Sequence, residues 1–222
     1  MPRLLVYSRT AGYRHDSIPA GIESLRQLGA QAGYAVDATE DPAVFTSGRL
    51  SRYAVVAFLS TSGDVLDDAG KDALQGYMAA GGTWLGIHGA STTEYNWPYF
   101  GGLAGAWFDK HPPEQTATMR VEDHGHPATS HLPATWTWHD EWYDFRVNPR
   151  PQVRVLLTVD EGTYEGGTMG ADHPIAWCHE HGGGRCFYTA LGHAARAYAD
   201  PAFLRHLGGA LEWLTAPVRP GR

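Results

Sequence analysis

Short apolar runs and stretches of 3.6-residue periodicity take turns along the first ninety residues. Leu4 to Ser8 is an apolar run that predicts a strand, followed by a polar loop from Arg9 to Asp16. Ser17 then stands as an N-cap with Pro19 in the first turn. Ile18, Ile22, Leu25, Leu28 and Ala32 recur at spacings of four and three, an amphipathic helix that Gly33 ends. Tyr34 to Ala38 predicts a second strand, and Asp41 to Tyr53 a connection with one helical turn. Ala54 to Leu59 is apolar throughout, as in strands buried on both faces. Asp67 or Asp68 caps the next helix, whose core side carries Leu74, Tyr77 and Met78, and Gly81-Gly82 stops it. Thr83 to Ile87 is then a buried strand running into a tight turn at His88.

The second half reads differently. Thr92 to Pro113 is irregular, aromatic and Gly-rich. Thr116–Val121, Thr135–Trp138, Val153–Val159, Pro174–His179 and Arg185–Ala190 predict strands. A closing helix over Pro201–Leu214 has Phe203, Leu207, Ala210, Leu211 and Leu214 on one stripe, and the tail from Ala216 to Arg222 is expected to fray. Alternating strands and helices followed by strands predict an α/β fold: a three-layer sandwich around a mostly parallel sheet, with an added β-rich region, as one domain over residues 1–222.

Composition narrows the class. Of 222 residues, 43% are hydrophobic and 18% charged, which is globular, and the net charge of −7 with no basic stripe argues against nucleic acid. No apolar run approaches a membrane span and the N-terminus is too quickly polar for a signal peptide, so a cytoplasmic setting is expected. Cys178 and Cys186 are too few for a disulfide framework. Cys178-His179-Glu180-His181 and Cys186 flank a Gly-rich turn between two apolar strands. That geometry sets Cys178 across from Cys186 as reduced, partly buried thiols and does not make a four-ligand zinc site.

Twelve histidines and eight tryptophans supply the candidate chemistry. His88 sits where a nucleophile elbow would hold Ser or Cys, at the sheet edge where α/β folds bind ligands. Arg185 to His193 repeats the pattern of strand, small residue and His. Two histidines at strand ends suggest one shared acid/base site, though each alone is equally a group that bonds backbone at a crowded turn. His139-Asp140-Glu141-Trp142-Tyr143 is the densest polar cluster. Asp140 or Glu141, if buried, needs a cation, a histidine or a metal as partner, so either can orient His88 or His193. Glu94, Trp97, Trp107 and His111 leave directly from the His88 turn, and Arg14-His15 opens on the same sheet edge. Flat aromatics beside polar groups suit a sugar ring, but they also pack long loops. Asp160 to Gly170 is Gly-rich without a phosphate-loop ending and reads as a mobile loop or lid.

The ordered set Ala11-Gly12-Tyr13-Arg14-His15, Thr61-Ser62-Gly63-Asp64, Gly86-Ile87-His88-Gly89-Ala90, Glu94-Tyr95-Asn96-Trp97, His111-Pro112, Asp140-Glu141-Trp142-Tyr143, Asp172-His173-Pro174-Ile175-Ala176-Trp177 and Tyr188 to His193 resembles the ThuA-like (trehalose-utilisation) family. The resemblance implies a class I glutamine-amidotransferase-like fold in which His88 takes the place of the nucleophilic Cys and His193 that of the His. Without that thiol, glutamine hydrolysis through a thioester is not available. The family's association with disaccharides and their 3-keto derivatives points to an enzyme of hydrolase or lyase type on oxidised sugars. Its catalytic candidates are His88, His193, Glu141 and Asp140. Its substrate-binding candidates are Arg14, His15, Glu94, Trp97, Trp107, His111, Trp142 and Trp177. A divalent metal ion would be held by His88, His111, His193 and Glu141. A non-catalytic sugar-binding or scaffold module is the alternative. A small-molecule carbohydrate is the expected partner; nucleic acid and membrane are not, and a homo-oligomer is left open.

Overall fold

The computed structural model describes residues 1–217, so the last residues of the expected frayed tail, 218–222, lie outside the described part. Nine strands form one sheet. They are β1 (Arg3–Tyr7), β2 (Ala35–Thr39), β3 (Tyr53–Leu59), β4 (Thr83–Ile87), β5 (Gln115–Val121), β6 (Thr135–Asp140), β7 (Arg154–Val159), β8 (Pro174–His181) and β9 (Gly184–Thr189). Their spatial order is β2-β1-β3-β4-β9-β8-β7-β5-β6. The first five run parallel, and from β9 outward every neighbour is antiparallel. The added β-rich region therefore extends the parallel sheet.

The helices are α1 (Ile18–Gln31), α2 (Ser47–Leu50), α3 (Asp68–Ala79), α4 (Pro98–Ala104) and α5 (Pro201–Thr215). Successive strand residues point to opposite faces, which sorts these helices into two layers. On one face Phe187 meets His206 of α5, and Gly21 of α1 lies against Leu59. On the other, Tyr7, Phe58, Trp84, Tyr188 and Trp177 make an aromatic row that Phe45 and Phe100 of α4 cover. Gly86 belongs to this row because the Trp84 ring lies across it, 2.2 Å from where a Cβ would stand.

Asp67 and Asp200 cap α3 and α5, their carboxylates accepting from Gly70 N and from Ala202 N and Phe203 N. Ser17 precedes α1 but does not cap it; its hydroxyl donates to the Gly192 carbonyl at 3.3 Å. The stretch expected to be irregular contains α4, whose seven residues with two glycines carry too little apolar periodicity to be seen. Cys178 pairs in register with Phe187, and Cys186 with His179, so the two thiols face opposite sides of the sheet and do not meet. Among the described residues no helix is long and apolar enough to cross a membrane.

Candidate functional site

β4 is buried along its whole length, and the chain turns sharply at its carboxyl end. His88 takes φ +49°, the left-handed region that costs a non-Gly residue roughly 1 kcal/mol or more. Gly89 follows because a Cβ there would press on the His15 ring and the Ser60 Cα, each at 3.2 Å. The turn aims a fully buried imidazole at the sheet edge. His88 Nδ1–H donates to the Ala190 carbonyl at 2.6 Å, which leaves the lone pair on Nε2.

Three further side chains converge on that lone pair. His15, from the loop after β1, places Nε2 at 3.1 Å, and His193, after β9, places Nδ1 at 3.3 Å. Glu141 Oε2 lies 2.9 Å from His193 Nδ1 and 3.5 Å from His88 Nε2. The four donor atoms all lie within 4.8 Å of one another. His193 Nε2–H is taken by Glu114 Oε1 at 3.0 Å, so Nδ1 is the ring nitrogen turned inward, toward Glu141 Oε2. Burial, and the imidazoles of His88 and His193 beside it, push His15 down to about 3. Burial opposes the charge on Glu141, but the hydrogen bond with His193 and the neighbouring His88 imidazole outweigh it and hold the carboxyl well below its usual range. Burial likewise works against the charged form of His193, and Glu141 more than restores it, raising the imidazole above its ordinary value.

This donor set fits a divalent cation. Tetrahedral bonds of roughly 2.0–2.1 Å put ligand atoms about 3.3 Å apart, near the spacings seen between these nitrogens and the carboxylate. His15, Tyr143 and His193 all crowd one His88 lone pair, more groups than a single acceptor can satisfy. Backbone carbonyl and carboxylate partners on the outer ring nitrogens of His88 and His193 complete the pattern usual around metal-binding histidines.

A cavity of about 480 Å³ opens over the cluster. His15 and Glu141 form part of its floor, Tyr13, Tyr95, Phe108 and Tyr143 its walls, and His111 its rim. The Tyr143 hydroxyl reaches His88 Nε2 at 2.9 Å, and burial raises that phenol well above its ordinary value. A concavity of similar size between α1 and α5 lies away from these groups.

His88, His193, Glu141 and His15 thus come together, and His15 takes the fourth position expected for His111. His111 instead stands at 34% side-chain exposure, its Nε2 3.4 Å from Glu141 Oε1 and its ring stacked on Tyr143. Asp140 does not reach the cavity floor: both its oxygens are filled by Trp138 Nε1 and the backbone N–H groups of Glu141, Gly192 and His193. Arg14 turns away to pair with Glu40 at 2.7 Å. Glu94 is buried under the N–H groups of Val65 and Leu66 and pairs with Lys71. None of the four tryptophans expected to bind substrate lines this cavity. Trp97 stacks on Tyr99, Trp107 donates to the Thr93 carbonyl, Trp142 to that of Gln115, and Trp177 to that of Ala104 in the core. Trp107, Trp142 and Trp177 each find a carbonyl for the indole N–H, which is how tryptophan anchors loops.

Tyr143 and Glu114 were not singled out by sequence. Tyr143 had a signal, since spacing of two along an extended segment puts it on the side of Glu141. Glu114 had none; its partners His139, His193 and Arg196 are all distant in sequence.

Asp144, Glu161 and His173 form a second cluster of a different kind. His173 Nε2 faces the Tyr143 carbonyl at 2.9 Å and Nδ1 faces Glu161 Oε1 at 2.8 Å, with the Tyr164 hydroxyl 3.1 Å from Nδ1. Both ring nitrogens have oxygen acceptors at ordinary hydrogen-bond distance, so this ring acts as a clamp. Glu161 also accepts from Met169 N and Gly170 N, which pins down the loop expected to be mobile.

The family model for ThuA, described as trehalose utilisation, matches residues 3–214. No curated protein matches the chain in sequence. Among solved structures, a protein described as ThuA-like from Bacteroides uniformis superposes with TM-score 0.81 at 27% identity, over 96% of this chain and 90% of that one. Another so described, from Parabacteroides merdae, gives 0.79 at 22% identity, over 97% and 90%. A β-galactosidase from Bacillus circulans shares the fold at TM-score 0.62 and 14% identity, over 96% of this chain and 30% of that one.

Proposed function

The chain belongs to the ThuA family, and from that premise we propose that it acts on a small carbohydrate, a 3-keto-disaccharide or related keto-glycoside, by proton transfer beside a divalent cation. One observation carries this reading: three imidazole nitrogens and a carboxylate oxygen converge beside an aromatic-walled cavity that His15 and Glu141 line. His15, His88, His193 and Glu141 would hold the cation. When bound, it supplies Lewis-acid polarisation of a carbonyl or hydroxyl oxygen. His88 and His193 turn their free nitrogens on each other, so they serve here as holders of the cation and not as acid and base. The proton acceptor is then His111. Its Nδ1–H donates to the Pro112 carbonyl at 2.8 Å, leaving the Nε2 lone pair at the rim, 3.4 Å from Glu141 Oε1. Tyr13, Tyr95 and Phe108 offer flat faces to the C–H faces of a sugar ring. The volume lies within the roughly 300–1,000 Å³ range of small-molecule sites. Membership in a family described by trehalose utilisation supports a role in carbohydrate metabolism; the substrate, its keto group and the elimination chemistry are the proposal's own.

The test is metal analysis of the purified protein followed by incubation with a 3-keto-disaccharide. The expected result is about one divalent ion per chain, as one four-ligand site requires. His88→Ala should lose the ion and at least ~100-fold of turnover with its circular dichroism unchanged. Turnover undiminished in that variant would sink the mechanism. Binding of the sugar without turnover by wild type would favour a sugar-binding module.

A further inference from the structure

Beyond the cation holders and the rim base, one more group faces the cavity with a transferable proton. The Tyr143 hydroxyl lies 2.9 Å from His88 Nε2. Because His88 Nδ1–H is committed to Ala190, Nε2 has only a lone pair to offer, and the phenol is the donor in this contact. With His88 holding a cation, that lone pair would no longer be open to the phenol. The O–H then finds its acceptor in whatever oxygen enters the cavity that Tyr143 lines.

The ring is held for this task. It lies between the His88 and Phe108 rings, each with centroid 4.4 Å away, and only 2% of the residue is exposed. Its backbone carbonyl accepts the His173 bond, and the next residue, Asp144, pairs in register with Lys110 and accepts from the Thr168 hydroxyl. Loop 161–173 therefore buttresses the backbone from behind while the hydroxyl projects toward His88.

We infer that Tyr143 is a catalytic residue, the proton donor to the departing glycosidic oxygen; this rests on the reading given under Proposed function. On a 3-keto-glycoside, His111 Nε2 takes the proton from the carbon between the ketone and the anomeric carbon. The freed C–H electron pair becomes the new C=C bond. The anomeric C–O bond breaks with its pair on oxygen, and the Tyr143 O–H bond breaks as the proton passes to that oxygen. An enone and a free alcohol result with no change in overall redox state. His111 then returns a proton to Tyr143 through solvent, closing the cycle.

The test compares wild type with Tyr143→Phe on two substrates: a 3-keto-disaccharide, whose alkoxide needs a proton, and a 3-keto p-nitrophenyl glycoside, whose phenolate does not. The expected result is a loss of about 10²–10³-fold in kcat on the disaccharide and less than about 10-fold on the nitrophenyl substrate, with cation content unchanged. A second readout needs no turnover. In cation-free protein the ¹⁵N shift of His88 Nε2 should move on Tyr143→Phe. Equal effects on both substrates, or an unmoved His88 shift, would overturn the assignment while leaving the carbohydrate reading intact. Wild type inert toward both substrates would overturn the carbohydrate reading, and the acid with it.

Discussion

Asp140 shows how much of a site is held from outside it. It sits 1% exposed, and its two oxygens receive four donors: Trp138 Nε1 and the backbone N–H groups of Glu141, Gly192 and His193. It thereby fixes Glu141 and His193, two residues of the cluster that sequence separates by about fifty positions. Its acidity made it look catalytic, but every lone pair is already used by the fold. In Asp140→Asn the amide NH₂ would meet donors where an acceptor is needed. The expected cost is about 3 kcal/mol in urea unfolding, with cation affinity about 10–100-fold weaker by competition titration. A variant as stable and as tight as wild type would show that this anchor is dispensable. His88 carries the complementary lesson. Its type and its place after a buried strand were legible in sequence, while its tautomer follows from the Ala190 carbonyl, a partner 102 residues away.

Among the elements, the β8–β9 hairpin tests register against composition. A Gly-rich turn between two apolar strands was readable, and it led to Cys178 and Cys186 being set across from each other. The observed register offsets them by one residue, and one residue reverses the face a side chain takes. Both thiols are buried, and burial pushes Cys178 up to about 12 and Cys186 higher still. Neither should react with a water-soluble disulfide reagent at pH 8 in the folded protein, and both should react in guanidinium. Rapid native labelling, or a disulfide recovered under non-reducing conditions, would contradict the register. The loop Asp160–Gly170 is the other element where composition and contacts point different ways. Its glycines suggest mobility, but Glu161 gathers the Met169 and Gly170 N–H groups and the His173 ring, contacts that no local pattern announces. Elements with long periodic stretches, α1, α3 and α5, were legible because each buries one stripe; α4 was too short and too rich in glycine.

At the scale of the whole molecule, histidines far from the cavity give stability its pH dependence. His206 in α5 and His126 beside Trp213 are each pushed by burial down to about 4. An unfolded chain protonates such groups near 6.5, so as pH falls the unfolded state binds protons first. Their contribution is complete above about pH 6.5 and is lost progressively toward pH 4. At about 1.36 kcal/mol per unit this amounts to about 3 kcal/mol per histidine. Urea midpoints should drop between pH 7.5 and 4.5. His206→Asn, which keeps a donor for the Ala128 carbonyl, should show a shallower drop; an identical slope would remove His206 as a cause. The α/β class, the strands of the main sheet and the family were readable from the chain alone, as was the choice of His88, His193 and Glu141 as candidates, which the structure brings together. Those properties depend on local periodicity, turn chemistry and residue type, which a short window carries. It took the folded arrangement to show that His15 completes the cluster, that Tyr143 lies beside it, that Asp140 anchors it, and that Arg14, Glu94 and the tryptophans make their contacts elsewhere. Each of those assignments depends on where loops after separate strands meet in space, and on which backbone groups have already claimed a lone pair; spacing along the chain encodes neither.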